Sequence, residues 1–487
     1  MAQFDEALQG EAHEVLLEEA AEAAPGPPAA APRAHRLGLL AAGLAALAVA
    51  GLLAARRRAG AGEATVVAPG GAPEYITADA AQPGSGTNPA SAWSISKDLT
   101  ALPADRGLVP GALGPKCKEA FFDHVLSKSG LEGELSSAET KQFKAAFLAK
   151  AADLKCEVGG FREAALEQMQ LAKPVMVDAL AKHINGLDLG FTVAASDWTT
   201  EHFQARLGRS QEPPIGARRG SSPRSVQAES LPASFDSRSK WPKCAEVIGK
   251  IHDQGHCGSC WVFGALGPLD SRLCIATGGN FSGSAAVLSR GFGASCASNY
   301  DGCQGGWEYW VYQYVDREDG IPSTGCSPYF ATGSGTEHFQ QHGTAPPCPT
   351  TCTGEDYPRS LQEDLYQPKG VSKYTLIQDP KAQDLETVKR LIQSGGPVAF
   401  GIYCTDTFMG YTSGVYTLCG DWSPNHAVHT IGWGVEGGTK YFLGQNSWGT
   451  SWGEKGRFKV KECVPTDFTI PGDIELSSTY PTMLQTW

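Results

Sequence analysis

The cysteines of this chain are concentrated in its C-terminal half. Of the 14 cysteines, twelve lie at or after Cys244, and the other two are Cys117 and Cys156. Such a density is typical of proteins that fold in an oxidising compartment, where disulfides persist. We therefore expect a crosslinked domain in the C-terminal half and a signal that carries it out of the cytosol.

A long apolar segment is the candidate for that signal. Residues 37–55 (LGLLAAGLAALAVAGLLAA) contain no charged side chain, and arginines flank them on both sides. At about 1.5 Å per residue, a helix of this length reaches across the hydrocarbon core of a bilayer. The run is longer than that of a typical cleaved signal peptide. We predict a transmembrane signal anchor at 37–55, with the membrane as a partner; the alternative is a buried Ala/Leu helix in a soluble protein.

Two signals disagree on the orientation of this segment. Three arginines follow it (residues 56–58) and two precede it (Arg33 and Arg36), a bias that favours a cytosolic C-terminal side. The cysteine density favours the opposite orientation. Because a long folded domain translocates largely regardless of flanking charge, we expect the C-terminal part to lie in the lumen of the secretory pathway.

The rest of the chain divides into segments of different composition. They are an acidic tail (1–36), a Gly-, Ala- and Pro-rich linker (56–104), a helical extension (105–230) and a dense α+β domain (231–487). In the extension, stretches such as KEAFFDHVL place apolar residues three and four apart. A polar stretch near its end contains Arg218-Arg219 and is a predicted site of proteolytic nicking. The net charge of −12 and the lack of a large basic cluster argue against nucleic acid as a partner.

The stretch DQGHCGSCWVFG (253–264) holds two cysteines, Cys257 and Cys260, separated by two residues. This spacing occurs in redox dithiols, in halves of zinc sites and by coincidence. The residues after Cys260 have the apolar periodicity of a helix, which would place Cys260 at a helix N-terminus and favour its thiolate. No second cysteine pair has zinc-like spacing and no nucleotide or haem motif occurs, so we predict neither a metal site nor a cofactor.

A cysteine nucleophile needs a histidine, and the strand-like stretch PNHAVHTIGWG supplies two candidates. His426 and His429 are three apart and would face opposite sides of a strand, so only one of them can meet the cysteine. Asn446 could orient the imidazole through its amide oxygen, and Trp448 could shield that bond from water. Gln254 and the backbone N–H of the cysteine could form an oxyanion hole. Each residue alone is more often structural, and only their combination supports the hypothesis.

The motifs around these residues resemble those of the papain-like cysteine peptidases. DQGHCGSCWVFG, GCQGG (302–306), NHAVHTIGWG and NSWGTSWGEKG occur in the order of that family, and LPASFDSRSKWPKC (231–244), GCSPY and TSGVY are similar to its cathepsin B group. The resemblance covers 231–487, with a fainter match to a propeptide at about 174–210. It implies an α+β, papain-like two-domain fold, with a helical left domain and a β-barrel-like right domain, made as an inactive proenzyme. The implied partners are peptide or protein substrates and the chain's own propeptide as inhibitor.

The resemblance assigns a catalytic role to each matching residue. It implies Cys260 as the nucleophile, His426 as the general acid/base, Asn446 as the orienter of His426 and Gln254 as the oxyanion donor. His429 would then be a strand residue that faces away. The predicted function is hydrolysis of peptide bonds through a thioester intermediate.

The resemblance also implies a set of substrate-binding residues: Gly305, Gly306, Trp448 and Ser477. The two glycines would present backbone to an extended substrate chain. Ser477 would lie at the floor of the pocket for the second residue before the cut, where cathepsin B has a glutamate. We therefore expect this pocket to favour apolar side chains over basic ones.

The largest departure from cathepsin B lies in the stretch GTEHFQQHG (335–343). Cathepsin B has there a disulfide-closed loop with two adjacent histidines that hold the C-terminal carboxylate of a substrate. Here His338 is followed by Phe339, so the second of the two adjacent histidines is missing, and the next histidine is His342. The cysteine pair of that loop also has no counterpart. We therefore predict an endopeptidase rather than a dipeptide-releasing enzyme.

The resemblance further implies how the cysteines pair. The implied disulfides are Cys244–Cys274, Cys257–Cys303, Cys296–Cys348 and Cys326–Cys352. Cys404–Cys419 and Cys117–Cys156 remain as further pairs, which leaves Cys260 and Cys463 as free thiols.

Two other functions stay open at this point. One is a thiol–disulfide oxidoreductase that uses Cys257 and Cys260, and the other is a catalytically inactive, membrane-tethered binding protein with the papain fold. For the peptidase, we expect a membrane-anchored protein with a lumenal catalytic domain, in a lysosome- or vacuole-like compartment or outside the cell after processing.

Overall fold

The computed structural model describes residue 99 and residues 116–156, 160–210, 230–298, 301–317, 320–330, 343–420 and 423–475. The predicted anchor at 37–55, Arg218-Arg219, the stretch 335–342 and Ser477 lie outside these residues. Among the residues that are described, no helix is long and apolar enough to cross a membrane.

Helices make up most of the described part of the extension and one half of the C-terminal domain. In chain order they are α1 (Cys117–Ser129), α2 (Ser137–Lys150), α3 (Phe161–Ala172), α4 (Asp178–Gly186), α5 (Thr200–Gln204), α6 (Ser237–Lys240), α7 (Ala245–Gly249), α8 (Cys260–Ala276), α9 (Arg290–Cys296), α10 (Glu308–Arg317), α11 (Leu361–Asp364), α12 (Ala382–Gly395) and α13 (Asp406–Met409).

The strands form one mixed sheet. They are β1 (Phe191–Val193), β2 (Phe235–Asp236), β3 (Thr375–Gln378), β4 (Val398–Ile402), β5 (Tyr411–Tyr416), β6 (His426–Glu436), β7 (Thr439–Gln445), β8 (Arg457–Lys461) and β9 (Asp467–Ile470). Their order is β1-β5-β8-β7-β6-β4-β9-β3, and β2 pairs with β6. β5 and β8 are parallel, and the other pairs are antiparallel.

The helical extension folds around phenylalanines placed at helical spacing. Phe122 of α1 packs edge-on against Phe143 of α2, with ring centroids 4.9 Å apart, and Phe121 packs against Phe161 of α3 at 5.4 Å. A capping box, in which Ser136 and Glu139 bond reciprocally, starts α2. The extension then joins the sheet through β1, which pairs with β5.

Two hydrophobic cores give the C-terminal domain its α+β character. One surrounds α8 and includes Trp261, Leu266 and Tyr312. The other lies among the strands, includes Phe400 and Phe458, and continues into the core of the helical extension. The two cores meet where α8 lies on β6.

Glycines on α8 allow the helix to lie directly on β6. A Cβ built on Gly264 would lie 3.2 Å from the Cβ of Ala427, and one on Gly267 would lie 2.5 Å from the His429 ring. Because His429 faces α8, alternation along the strand turns His426 to the other side. The expected division of the two histidines between opposite faces is therefore present.

The disulfides crosslink the helical half most densely. Cys244–Cys274, Cys257–Cys303, Cys296–Cys348 and Cys326–Cys352 are bonded as the resemblance implies, and Cys117–Cys156 joins the start of α1 to the segment after α2.

The predicted Cys404–Cys419 pair is wrong, because Cys419 is bonded to Cys463. The reason is the parallel pairing of β5 with β8, in which Tyr416 is opposite Val460. Cys419 lies three residues after Tyr416, and Cys463 lies three residues after Val460. The two cysteines therefore lie opposite each other. Cys404 follows β4, which has other neighbours in the sheet, and it stays a buried free thiol.

The close contact between α8 and β6 predicts that a methyl group added at Gly267 destabilises the protein. Gly267→Ala would force its Cβ into the buried His429 ring, and overpacking of this kind typically costs about 1–3 kcal/mol. The gain in helix propensity offsets about 1 kcal/mol of this cost. We expect a lower midpoint of thermal unfolding, measured by the change in intrinsic fluorescence on heating. Gly186→Ala is the matched control, since nothing lies within 4 Å of a Cβ at that position. An unchanged midpoint for Gly267→Ala would contradict this packing.

Candidate active site

Cys260 is the first residue of α8, a helix of 17 residues. Its side chain is fully buried and its thiol is free. The backbone N–H of Ala427, the residue after His426, points at the sulfur. The start of α8 and the start of β6 therefore meet at the thiol.

His426 is held in place by a hydrogen bond to Asn446 and by a ring contact with Trp448. Its Nε2 donates to Oδ1 of Asn446 at 2.9 Å, and its ring packs 4.8 Å from the Trp448 ring. The backbone N–H of Ser447 donates to the same Oδ1 at 2.8 Å. An atom that accepts a backbone N–H is the amide oxygen, so the proton of this tautomer sits on Nε2. Nδ1 is buried, and the ring also lies against the backbone of Arg206 in the extension.

Gln254 is fully buried beside these residues, and both ends of its amide are bonded. Nε2 donates to the carbonyl oxygens of Arg206 at 3.0 Å and of Cys257 at 2.7 Å. Oε1 accepts from the hydroxyl of Ser447 at 2.6 Å. Ser447 thus links Gln254 to Asn446 and fixes the orientation of both amides.

A segment of the extension crosses the site, and we call residues 206–210 the strap. Gly208 of the strap lies against Gly258, where a Cβ on Gly208 would come within 1.6 Å of the Gly258 carbonyl oxygen. Gly306 donates its N–H to Gly208 at 2.9 Å and accepts from the N–H of Ser210 at 3.1 Å. Gly306 therefore presents its backbone to an extended chain, in the way predicted for substrate, and in this structure the chain is the strap.

The part of the extension before the strap covers the histidine side of the site. Trp448 packs edge-on against Trp198 at 5.5 Å and against Phe203 at 6.2 Å. His202 stacks on His256 with centroids 4.5 Å apart. Trp448 thus shields the His426–Asn446 bond, and in the described residues it contacts the extension as well.

Covered in this way, both reactive groups are neutral. Burial raises the pKa of the Cys260 thiol to about 12, although the N–H groups of Ala427 and Gly208 oppose the shift. Burial lowers the pKa of His426 to about 4, against the opposing effect of its bond to Asn446. The predicted thiolate at the helix N-terminus is therefore absent from this closed state. Loss of water destabilises the thiolate more than the helix dipole stabilises it. The strap presents the backbone N–H of Gly208 to the sulfur.

Some functional residues escape prediction from sequence. Ser447 could have been found, since its hydroxyl is adjacent to Asn446 in NSWG. Arg209 of the strap lies in a pocket with Glu308 and Asp467, and these three residues belong to distant parts of the chain with no shared motif. In the described residues, no group of three or more His, Cys, Asp or Glu side chains could hold a metal ion.

Comparison with known proteins identifies this arrangement. The family model described as "Papain family cysteine protease" matches residues 231–471. A cathepsin B-like cysteine proteinase of Schistosoma japonicum is 38% identical over 248 residues, which cover 47% of this chain and 68% of that protein. Cathepsin B-like cysteine proteinase 6 of Caenorhabditis elegans is 34% identical over 272 residues, which cover 51% of this chain and 68% of that protein.

A solved structure is similar over a longer part of the chain than the family model covers. Procathepsin B S9 from Trypanosoma congolense superposes with a TM-score of 0.51 at 26% identity, covering 62% of this chain and 99% of that chain. Together with the free cysteine, the oriented histidine and the strap, these similarities establish the class of protein. The chain belongs to the papain family of cysteine peptidases and is a cathepsin B-like enzyme made as a zymogen with its own pro-region.

Proposed function

We propose that this enzyme is an endopeptidase in which Cys260 attacks the carbonyl carbon of a peptide bond. The observation that carries the proposal is the convergence of the Cys260 thiol, the His426–Asn446 pair and the Gln254 amide beneath the strap. His426 takes the thiol proton, and the Cys260 sulfur forms a bond to the carbonyl carbon. Gln254 Nε2 and the backbone N–H of Cys260 would hold the oxyanion.

The reaction is completed in two further steps. His426 gives its proton to the leaving amine as the C–N bond breaks, which leaves a thioester on Cys260. Water, deprotonated by His426, then attacks the thioester carbon, the C–S bond breaks to release the carboxylic acid product, and His426 returns the proton to the Cys260 sulfur. Asn446 keeps the imidazole aligned through both steps, and Trp448 keeps bulk water from that hydrogen bond.

The proposed activation is the departure of the strap. In the zymogen Gln254 is bonded to the carbonyl of Arg206, and Gly306 is paired with Gly208 and Ser210. Cleavage after the strap, for which Arg218-Arg219 is the proposed site, would free these groups for substrate. Water would then return to the thiol and permit the thiolate–imidazolium pair.

The alternative of a thiol–disulfide oxidoreductase receives no support from the pairing of the cysteines. Cys257 is bonded to Cys303, and Cys260 is a free thiol. Such an oxidoreductase needs Cys257 and Cys260 to bond to each other. The proposal of an endopeptidase, with little release of dipeptides, depends on the sequence of 335–343, where His338 has no adjacent histidine.

We also propose that residues 37–55 anchor the chain in a membrane of the secretory pathway, with the peptidase in the lumen of a lysosome- or vacuole-like compartment. The length and apolar character of the segment and the six disulfides support this placement. In cell fractions, the full chain should resist extraction by alkaline carbonate and be protected from added protease until detergent is present. Release by carbonate alone would contradict the anchor.

The first prediction on catalysis concerns the oxyanion donor. Gln254→Ala in the processed enzyme should lower kcat by about 10²–10³-fold with little change in KM, because the lost bond would form only in the transition state. Hydrolysis of an internally quenched peptide measures both constants, and a peptide that can release only a C-terminal dipeptide tests the endopeptidase proposal. Glu246→Gln, at an exposed position of α7, is the control. Cys260→Ala should abolish hydrolysis, and residual turnover by it would overturn the mechanism.

The second prediction concerns the reactivity of the thiol. A buried thiol with a pKa of about 12 is almost wholly protonated at pH 7, and the thiolate is the nucleophile. Iodoacetamide should therefore label Cys260 slowly in the zymogen and much faster after processing, as measured by mass spectrometry of the Cys260 peptide. Equal labelling rates in the two forms would show that the pro-region does not control the thiol.

A further inference from the structure

The turn that follows α8 contains the triplet Asn280-Phe281-Ser282. An asparagine, then any residue except proline, then serine or threonine form the acceptor sequence for N-linked glycosylation. Of the asparagines in the chain, only Asn280 lies in such a triplet. Because short triplets also occur by chance, the case for a glycan depends on how the fold presents Asn280.

Two glycines turn the chain back at the end of α8. Gly278 and Gly279 have φ angles of 64° and 95°, in the left-handed region that glycine adopts without strain. The N–H of Gly279 donates to the carbonyl oxygen of Cys274 at 2.9 Å. The N–H of Asn280 donates to the carbonyl oxygen of Thr277 at 3.3 Å. Asn280 is thus held by its backbone in a hydrogen-bonded turn, and its side chain is exposed.

The residue after Asn280 fixes this turn to the core. Phe281 is buried and packs edge-on against Tyr366, with ring centroids 5.5 Å apart. Its backbone N–H donates to the hydroxyl of Thr277 at 3.1 Å. Because Phe281 is held on the inside, the turn keeps its position without any contact from the side chain of Asn280. A group attached to that side chain can therefore extend into solvent without disturbing the packing.

The other described asparagines use their side-chain amides inside the fold. Asn185 and Asn425 each accept from one backbone N–H and donate to one backbone carbonyl oxygen of another segment. Asn446 accepts from the imidazole of the site. The amide of Asn280 makes no hydrogen bond to the described part of the chain. A substituent on its Nδ2 therefore breaks no contact of the folded protein.

The triplet also lies far from the substrate groove. Asn280 follows the C-terminal end of α8, and Cys260 is the first of the 17 residues of that helix. At about 1.5 Å per residue the helix is about 25 Å long. Open space continues after the triplet, since a Cβ built on Gly283 would have no atom within 4 Å. A glycan on Asn280 would lie at the opposite end of α8 from the nucleophile and the strap.

We propose that Asn280 is a modification site that carries an N-linked oligosaccharide. The donor is an oligosaccharide attached to a lipid pyrophosphate. The amide nitrogen of Asn280 forms a bond to the first sugar carbon, the bond from that carbon to the pyrophosphate oxygen breaks, and the lipid pyrophosphate leaves. The amide nitrogen loses one proton in this step. The inference rests on the lumenal placement proposed above, because this transfer takes place in the lumen of the secretory pathway.

The experiment uses the full-length chain made in eukaryotic cells and treated with peptide N-glycosidase. This enzyme removes N-linked glycans and converts the linked asparagine to aspartate. We expect treatment to increase the mobility of the wild-type chain on a denaturing gel by the mass of one glycan. Mass spectrometry of the peptide that contains Asn280 should show the conversion at that residue.

Substitutions within the triplet give the matched controls. Asn280→Gln and Ser282→Ala should both abolish the mobility shift, because each removes a required member of the triplet. Ser282→Thr keeps the hydroxyl and should keep the shift. Ser284→Ala, at an exposed position two residues after the triplet, should also keep it.

Two results would overturn the inference. One is a wild-type chain whose mobility and mass at Asn280 do not change on treatment. The other is a shift that persists in both Asn280→Gln and Ser282→Ala. If Asn280→Gln fails to accumulate, the pair of Ser282 variants decides the question, since Asn280 is present in both of them.

A parallel measurement separates failure of the glycan from failure of the lumenal placement. The same cell fractions are treated with added protease, with and without detergent. An unglycosylated chain that is protected until detergent is present would overturn the role of Asn280 and leave the placement intact. An unglycosylated chain that is digested without detergent would overturn both. A glycan on Asn280 would support both, and it would fix the orientation on which the flanking arginines and the cysteines disagree.

Discussion

The direct contact between α8 and β6 is the constraint on which the rest of the site depends. Gly264 and Gly267 let the helix approach the strand closely enough that Ala427 meets the helix backbone and His429 fills the space beside it. This approach brings together the first residue of α8 and the first residue of β6, the proposed nucleophile and base. The two side chains that meet thus belong to the ends of two long rigid elements, which suits a site that requires exact alignment.

In the zymogen, exclusion of water from the site keeps Cys260 and His426 neutral, and the side chains of the site are not displaced. In the zymogen the bonds that orient His426, Asn446 and Gln254 are already formed, and Gln254 Nε2 additionally donates to the strap at the Arg206 carbonyl. Burial beneath the strap raises the pKa of Cys260 and lowers that of His426, so the neutral pair is favoured. Uncovering the site changes solvation around groups that are already in place. Little rearrangement of the catalytic domain is then required for activation.

Sequence predicted the local parts of this structure better than its long-range contacts. The helix after Cys260 and the strand that carries His426 and His429 could be predicted from local periodicity, while four of the disulfides were implied only by the resemblance to the papain-like family. The Cys419–Cys463 bond depends on the parallel pairing of β5 with β8, and no local pattern encodes that register. The buried ion pairs of Arg209 with Glu308 and Asp467 were missed for the same reason. Glu308, Asp467 and Arg209 lie on three separate segments, and they form ion pairs only when the fold brings them together.

The disulfide pattern has a consequence for the fate of the pro-region. Cys117–Cys156 closes within the extension, and the other five bonds close between residues 244 and 463. None of them spans the segment from the strap to Leu231. A single backbone cut in that segment therefore turns one molecule into two that share no covalent link, each with its own crosslinks intact. From that moment the pro-region is a dissociable ligand, and its occupancy depends on dilution.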